Sequence, residues 1–402
     1  MKILNRKIHY FNPGHENAVW ADSHYYTPPA SVCKMMNDLA LLPIWYAKDN
    51  DYVIMNETHQ ASRFLLSIPP EIRPSAIPVT PTELTLHDPA EAAPWGLSPR
   101  SIRFFETLRT QNDHILVPQW KELYKELTGR QTALLCLSKI CSSMHDEFAA
   151  ITLPRFCTTS EEIRQFITAH PPPYILKAPY SCSGRGLYRI GTRDLDLQAS
   201  RWIAGTIKKQ GIISIERALD KVCDFAMEFE ATGDGQIRFE GLALFNTSSK
   251  GTYSSNLLAS QATIERHLST FISTAQLLKV RETVTSVLAE LFGFDYRGYL
   301  GVDMLIYRKE NGFALHPCIE INVRYTMGLV ALQLNKIVHS SAQGQLVIDC
   351  HTAENSAYSE HLRMNDKYPL QLFDSCIRSG YLSLCPVQPD THYRAYLLIE
   401  NN

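Results

Sequence analysis

Three pairs of strand-like segments, each joined by a turn, constrain the fold of this chain more than any other feature. The pairs cover residues 174–177 with 187–190, 225–230 with 237–245, and 299–307 with 314–323. The second pair alternates apolar and polar residues with period two around a turn, which is typical of a β-hairpin. Helical patterns separate the hairpins, so we predict an α+β fold rather than a doubly wound one.

Two helices before and between the hairpins are predicted from local signals. Thr159 and Glu162 form a capping box, in which each side chain satisfies a free backbone amide at the start of a helix over residues 160–169. Apolar residues between Leu277 and Leu291 recur at helical spacing, which predicts a helix that faces the core.

The first part of the chain opens with a strand followed by a helix. Residues 7–11 form a short strand-like stretch, and residues 29–41 form a helical segment. A second strand signal lies at residues 52–55, and a further helix is predicted over residues 120–127. A proline-rich passage, residues 68–99, is either a long surface connection or an irregular part of the first domain.

Composition and charge exclude several classes of protein. Lysine and arginine number 39 against 41 acidic residues, so no surface for a polyanion such as nucleic acid is indicated. The longest wholly apolar run, residues 39–47, is far shorter than the ~20 residues that cross a bilayer. The first residues lack the apolar stretch of a secretory signal, so export is not expected. Ten scattered cysteines without a CxxC pair are interpreted as reduced thiols in a cytosol.

Polar residues on the last strand pair indicate a candidate metal site. Glu320 and Asn322 are two residues apart and project from one face of their strand, and Asp303 lies on the preceding strand. Pairing these strands brings the three oxygen-bearing side chains together, as a hard cation that also contacts phosphate requires. The alternative is a solvated sheet face.

A loop of small residues indicates a candidate phosphate site. Lys177 ends a strand and is followed by the loop 181–186, whose serines and glycines leave backbone amides free to approach an anion. The loop is neither a P-loop nor a dinucleotide fingerprint, and an ordinary turn is the alternative.

The order of these elements resembles that of the ATP-grasp superfamily over about residues 130–330, in particular the nucleotide half of proteins of the D-alanine:D-alanine ligase or biotin carboxylase type. The resemblance implies two α+β subdomains that grip ATP between antiparallel sheets, preceded by an α/β pre-ATP-grasp domain. The implied divisions are residues 1–125 for the first domain, 126–205 for the small subdomain and 206–402 for the core subdomain. Its motifs also imply site residues.

For the nucleotide, the resemblance implies phosphate contacts from two lysines on neighbouring strands, a mobile loop over the γ-phosphate, a hinge that meets the adenine through backbone groups, and an acid on the ribose. The two lysines are Lys139 and Lys177, and the loop residues are Ser181, Ser183, Gly184 and Gly186. The hinge consists of Glu216, Arg217, Ala218 and Leu219, and the acid is Asp224.

For the metal and the chemistry, the resemblance implies that Asp303, Glu320 and Asn322 bind Mg²⁺ or Mn²⁺. Arg324 is implied to stabilise charge on a substrate carboxylate or acyl phosphate. Arg185 is either a second phosphate contact or a solvated loop residue. The turn at residues 12–17 either holds a substrate group, with His15 and Glu16 in contact, or is purely structural.

The activity implied is that of a ligase that depends on ATP and magnesium. Such an enzyme activates a carboxylate as an acyl phosphate, which an amine or related nucleophile then attacks, giving ADP and phosphate. An ATP-binding regulatory protein without ligase activity and a small-molecule kinase are the alternatives. The expected partners are small-molecule carboxylates and amines, with neither nucleic acid nor membrane, in a cytosolic protein that forms a homodimer.

Overall fold

The structure is a computed structural model that describes residues 6–181, 184, 186–248 and 251–400. The strands are, in chain order, β1 (Arg6–Tyr10), β2 (Tyr52–Ile54), β3 (Ile77–Val79), β4 (Ala90–Pro94), β5 (Ile115–Leu116), β6 (Arg155–Cys157), β7 (Tyr174–Lys177), β8 (Leu187–Ile190), β9 (Ile213–Arg217), β10 (Asp220–Thr232), β11 (Ile237–Thr247), β12 (Tyr253–Leu258), β13 (Arg297–Arg308), β14 (Phe313–Asn322), β15 (Gln343–Cys350), β16 (Gln371–Phe373), β17 (Cys376–Ser383) and β18 (Tyr393–Glu400). The α-helices are α1 (His15–Ala21), α2 (Ala30–Asp38), α3 (Thr58–Ser67), α4 (Pro99–Arg109), α5 (Leu123–Thr128), α6 (Arg130–Ser143), α7 (His145–Phe148), α8 (Ser160–Ala169), α9 (Leu197–Gln210), α10 (Gln261–Leu268), α11 (Thr274–Phe292), α12 (Met327–Leu334) and α13 (Ser356–Lys367).

The chain folds as two compact units. The parallel-sheet unit comprises Met1–Lys121, Ser254–Ile264 and Arg324–Asn402, and the hairpin unit comprises Glu122–Tyr253 and Glu265–Val323. In the part of the chain that the structure describes, no helix is both long enough and apolar enough to span a membrane.

The parallel-sheet unit is built on five parallel strands in the order β3-β2-β1-β4-β5. Ile8 of β1 lies between Tyr52 of β2 and Ala92 of β4. The chain adds β2 and β3 on one side of β1 and then returns to add β4 on the other, so the order reverses between β1 and β4. Loops at the carboxyl ends of strands that flank such a reversal are where open α/β sheets place their ligands. The core of this sheet contains Ile8, Tyr52, Ile54, Val79, Leu84, Leu86, Ala90, Phe105, Leu108 and Ile115.

The proline-rich passage is part of this sheet. It contributes β3 and β4 and leads into α4, so it is an irregular part of the first domain rather than a surface connection. Pro94 is the last residue of β4 and lies opposite Tyr10 of β1.

The end of the chain also belongs to the parallel-sheet unit, where β12, β15, β18, β17 and β16 follow one another as antiparallel neighbours. The indole nitrogen of Trp45 donates to the carbonyl of Leu384 at 2.7 Å, and the Asp38 carboxylate accepts from the backbone amides of His392 and Tyr393. These bonds explain why Arg324–Asn402 groups with the first residues, whereas the sequence prediction placed them in one domain with residues 206–323.

The hairpin unit contains two antiparallel sheets. One has the order β6-β9-β7-β8, and α8 and α9 pack on it. The predicted capping box is confirmed, because the Thr159 hydroxyl accepts from the Glu162 amide and the Glu162 carboxylate accepts from the Thr159 amide. The core of this sheet contains Cys157, Ile163, Phe166, Ile167, Tyr174, Leu176, Ile190, Ile203, Ile213 and Ile215.

The other sheet of the hairpin unit has β14, β13, β10 and β11 as successive neighbours. The three predicted hairpins are confirmed as β7–β8, β10–β11 and β13–β14, and β10, β11 and β13 are longer than the sequence indicated. The predicted helix before Gly293 is also confirmed as α11, which buries Val280, Val284 and Leu288 and contacts α6 and β11.

Candidate nucleotide and metal site

The paired strands β13 and β14 present the three predicted metal ligands on one face. Asp303 lies directly opposite Glu320, and Asn322 lies opposite Gly301. Val302, Met304 and Ile321, which point the other way, are buried. The predicted juxtaposition of two carboxylates and one amide is therefore present.

The chemistry of this ligand face fits a hard cation, since all three donors are oxygen atoms. Within residues 6–181, 184, 186–248 and 251–400, no three His, Cys, Asp or Glu side chains form a metal-binding group. A cation on this face would therefore need the Asn322 amide as its third protein ligand, or phosphate oxygens in that place.

Arg130 is the first residue of α6 and lies beside this ligand face. Its Nε donates to the carbonyl of Ala178 at 3.1 Å, and its Nη2 is 3.0 Å from Glu320 Oε1. The guanidinium side chain is only 9% exposed. Arg130 thus connects two parts of the chain, the segment after β7 and the end of β14. Sequence reasoning missed it, because its position depends on contacts with segments distant in the chain.

Lys177 at the end of β7 is the second cation of the site. Its Nζ forms an ion pair with the Glu216 carboxylate of β9, and the two side chains are 7% and 13% exposed. Lys177 lies opposite Ser214 in the antiparallel register, which places Glu216 on the same face of the sheet. Both cations of the site are therefore neutralised by a carboxylate.

A cavity of about 290 Å³ lies between these groups. Its polar lining includes Arg130, Lys177, Ser214 and Glu216, and its apolar lining includes Leu134, Leu137, Pro154, Phe156 and Ile319. Part of this volume is open to solvent, and the enclosed part, about 20 Å³, admits little more than a water molecule, so a larger ligand would extend out of the cavity. An apolar slot with cations at one side suits a flat aromatic group that carries negative charge.

His316 on β14 is buried near the charges of Glu216 and Lys177. Burial, opposed by nearby Glu216 and aided by Lys177, lowers its pKa to about 4. His316 is therefore a neutral imidazole at neutral pH. Among the described residues, its Nδ1 has no hydrogen-bond partner.

Comparisons with known proteins bear on the fold. No family model matches the sequence, and no curated protein matches it. Solved structures do match. N5-carboxyaminoimidazole synthetase from Staphylococcus aureus, complexed with ADP, is 10% identical with a TM-score of 0.51 over 100% of this chain and 95% of that chain. Biotin carboxylase from Campylobacter jejuni, in a β-γ-ATP complex, is 10% identical with a TM-score of 0.52 over 98% and 87%. An ADP complex of N5-carboxyaminoimidazole ribonucleotide synthetase, purK, is 12% identical with a TM-score of 0.52 over 100% and 95%.

This chain has the ATP-grasp fold. The predicted α+β architecture is thereby confirmed, and the likeness covers the first domain as well as the part on which the sequence resemblance rested. At 10–12% identity the likeness concerns the fold. The roles of individual residues therefore depend on the geometry of this chain.

The structure contradicts the position predicted for one site residue, Lys139. Lys139 was expected on a strand beside Lys177, but it lies on helix α6 and pairs with Glu290 of α11, its Nζ 2.6 Å from the carboxylate. The prediction of a strand is wrong because Ala133, Leu137 and Ile140 form a helical stripe that faces the core. Lys139 projects away from that stripe. Arg130, at the start of the same helix, lines the cavity together with Lys177.

The loop after β7 is described in part. Ser183 and Arg185 lie outside the described residues, so their predicted roles remain predictions. The Gly186 carbonyl accepts from the Ala178 amide at 2.8 Å, and a Cβ at Gly186 would lie 2.3 Å from the Cβ of Ser181. Glycine is therefore required here for the chain to turn back closely on itself. Gly184 adopts a positive φ of 72°, which also favours glycine.

The predicted hinge joins the two sheets of the hairpin unit. Arg217 ends β9, Ala218 and Leu219 follow it, and β10 begins at Asp220. The Ala218 amide donates to the carbonyl of Pro173 at 2.8 Å, which fixes the connection beside the start of β7.

Asp224, predicted to contact the ribose, lies on β10. Its carboxylate accepts from the Thr247 hydroxyl at 2.9 Å and pairs with Lys221. The contacts of the hinge and of Asp224 with a nucleotide remain predictions.

Arg324 belongs to the parallel-sheet unit. Its Nε donates to Glu16 Oε1 at 2.7 Å, and its Nη1 donates to the Tyr325 carbonyl. The second oxygen of Glu16 is 3.3 Å from His15 Nδ1. Burial alone would raise the pKa of Glu16, but the charges of Arg324 and His15 hold it well below its usual range. The guanidinium is thus fixed by an ionised, buried carboxylate.

The turn after β1 holds this ion pair at the reversal of the strand order. The Asn12 side chain donates to the Gly96 carbonyl at 2.7 Å and accepts from the Gly96 amide, which joins the loops after β1 and β4. A Cβ at Gly96 would lie 2.3 Å from Cγ of the His15 ring. Asn12 and Gly96 are therefore structural, and among the predicted residues of this turn Glu16 is the one that contacts Arg324.

Proposed function

We propose that this chain is an ADP-forming ligase that uses ATP and Mg²⁺ to activate a carboxylate for attack by an amine. The observation that carries the proposal is the placement of Arg130 and Lys177 along one apolar cavity, with the ligand face of Asp303 and Glu320 beside Arg130. The similar structures named above are complexes with ADP or an ATP analogue, which supports a nucleotide in an ATP-grasp fold.

The nucleotide is assigned to the cavity of the hairpin unit. Its base would occupy the apolar slot lined by Leu134 and Phe156, and its phosphates would contact Arg130 and Lys177. The hinge after β9 and Asp224 are proposed for the adenine and the ribose, and the loop 181–186 for the terminal phosphate.

The ligand face is assigned to the metal ion. Asp303, Glu320 and Asn322 would hold Mg²⁺ or Mn²⁺, which supplies positive charge to the phosphate oxygens. The fit rests on the oxygen-only donor set and on its register.

The proposed chemistry proceeds in two displacements. A carboxylate oxygen attacks the γ-phosphorus, the bond from that phosphorus to the β,γ-bridging oxygen breaks, and ADP leaves. The amine nitrogen then attacks the carbonyl carbon of the acyl phosphate, phosphate leaves with the bonding electron pair, and the amine releases one proton. Arg324, held by Glu16, is proposed to stabilise charge on the carboxylate or acyl phosphate.

The location and assembly of the protein are also proposals. Absence of a cysteine metal motif and the free thiols of the described cysteines support a cytosolic protein. Homodimer formation and the small-molecule nature of both substrates are proposed from the fold class.

The function is tested by ADP release from Mg·ATP in the presence of pooled carboxylates, amino acids and amines, with Glu320→Ala as the blank. We expect ADP that depends on a pool and is absent from the blank. A stable phosphorylated product without condensation would replace the ligase by a kinase, and ATP binding without any ADP release from any pool would favour a regulatory protein.

A further inference from the structure

Both cations of the nucleotide cavity are already paired with carboxylates. Arg130 is paired with Glu320 and Lys177 with Glu216, and the two cationic side chains are 9% and 7% exposed. A cation that is this poorly hydrated needs a counter-charge. A phosphate that approaches either cation must therefore displace or weaken an existing ion pair.

The two pairs differ in what the carboxylate can do next. Glu320 stands on the ligand face, directly opposite Asp303, so it has a second partner available in a divalent cation. Glu216 stands on β9, a strand that belongs to the other sheet of the hairpin unit. Of the two carboxylates, Glu320 is the one that stands among the proposed metal ligands, so the Arg130 pair is the one that a metal ion on this face would loosen.

A divalent cation between Asp303 and Glu320 would act on Arg130 in two ways. It competes for the electron density of the Glu320 carboxylate, and its charge repels the guanidinium at short range. Both effects weaken the bond between Arg130 Nη2 and Glu320 Oε1, while the bond from Arg130 Nε to the Ala178 carbonyl keeps the side chain in place. The guanidinium then faces phosphate oxygens in its existing position.

We propose that Glu320 makes the site selective for metal-bound nucleotide over free nucleotide, because it neutralises Arg130 until a divalent cation occupies the ligand face. This inference rests on the proposed function, since it takes the cavity to be the nucleotide site. Without metal, Glu320 both holds Arg130 and repels phosphate. With metal, the same carboxylate becomes a ligand and Arg130 becomes a phosphate contact.

The test compares ADP affinity in EDTA and in Mg²⁺ by isothermal titration calorimetry. We expect Glu320→Gln to raise the affinity for ADP in EDTA at least ~fivefold, the lower end of usual coupling between two ligands, and to remove most of the gain that Mg²⁺ gives the wild type. Glu216→Gln should change the affinity by the same factor in EDTA and in Mg²⁺. Glu290→Gln breaks the remote pair with Lys139 and should change neither value.

A double-mutant cycle separates release of Arg130 from simple loss of negative charge. In the Arg130→Met background, Glu320→Gln should give a clearly smaller gain in EDTA than it gives in the wild type. An equal gain in both backgrounds would overturn the proposal, because the effect would then be electrostatic repulsion alone. If Glu320→Gln does not fold, Glu320→Asp is compared instead, since its shorter side chain separates the carboxylate from Arg130 and should give a smaller gain of the same sign.

The same titrations distinguish failure of this inference from failure of the proposed function. If neither the wild type nor any variant binds ADP in Mg²⁺, the cavity is not a nucleotide site and both proposals fall. If the wild type binds ADP equally well in EDTA and Mg²⁺, the nucleotide site stands and the selectivity assigned to Glu320 is wrong.

Discussion

Both units of the molecule contain ion pairs with a buried cation, but the surroundings of these cations differ. In the hairpin unit, the paired Lys177 and Glu216 line a cavity together with Arg130, which pairs with Glu320. In the parallel-sheet unit, the Arg394 side chain is 1% exposed and pairs with Asp349 on the adjacent strand β15. The same interaction therefore has two consequences. A pair beside a cavity can exchange its partner for a ligand, whereas a pair whose cation is enclosed mainly supports the fold.

The strongest test of the cavity side of this comparison is Glu320→Ala. We expect turnover to fall at least ~100-fold, because the variant loses a charged ligand of the metal face and leaves Arg130 unpaired. ADP release under saturating Mg·ATP measures the effect, and near-UV circular dichroism should match the wild type. A variant that releases ADP at the normal rate would remove Glu320 from the site.

The enclosed side of the comparison is tested by Arg394→Met. We expect the free energy of unfolding to fall by about 3 kcal/mol, since Asp349 loses its bidentate partner and the ring of Tyr396 loses the guanidinium that lies 5.1 Å from its centroid. Urea denaturation measures the loss. ADP affinity at a permissive temperature should stay within twofold of the wild type. A large loss of affinity in a folded variant would show that the Arg394 pair supports nucleotide binding and not only the fold.

Lys177→Ala should weaken ADP binding about tenfold or more, since a charged hydrogen bond to phosphate is lost. Lys139→Ala is the matched control: it removes a lysine of the same unit that pairs with Glu290 outside the cavity, and its affinity should be unchanged. Calorimetric titration of both variants decides the point. If Lys139→Ala weakened binding as much as Lys177→Ala, the corrected position of Lys139 would not describe the nucleotide-bound protein.

These two lysines also show how far the sequence could predict the site. Lys177 follows a short apolar strand and precedes a glycine-rich loop, and both signals are local. Lys139 lies in a run of small and apolar residues whose period is compatible with a strand or a helix when read alone. Packing of α6 against β14 and α11 decides for the helix, and that information is not local.

The difference between local and non-local signals also explains which other elements could be predicted from the sequence. The capping box at Thr159 and the turn between β10 and β11 depend on neighbouring residues, so they were predictable. The short strand β3 contains Pro78, and β4 is mostly alanine, so neither carries a strand pattern of its own. They become strands because β1 and β2 offer them parallel partners. Arg130 was missed for the equivalent reason, since its partners are supplied by β7 and β14.

The smallest expected effect concerns His316, a buried imidazole on β14 that lies near Lys177 and Glu216. Its pKa of about 4 lies below the unfolded value of 6.5, so between these values the unfolded chain binds more protons than the folded one. The free energy of unfolding should therefore fall as the pH falls from 6.5 toward 4, by on the order of 1–2 kcal/mol between pH 7 and pH 5 from this residue. Urea denaturation at pH 7, 6 and 5 should show a shallower pH dependence for His316→Asn than for the wild type, by about that amount. Identical slopes would mean that the pKa of His316 is the same in the folded and the unfolded protein, so that the charge of Glu216 offsets the effect of burial.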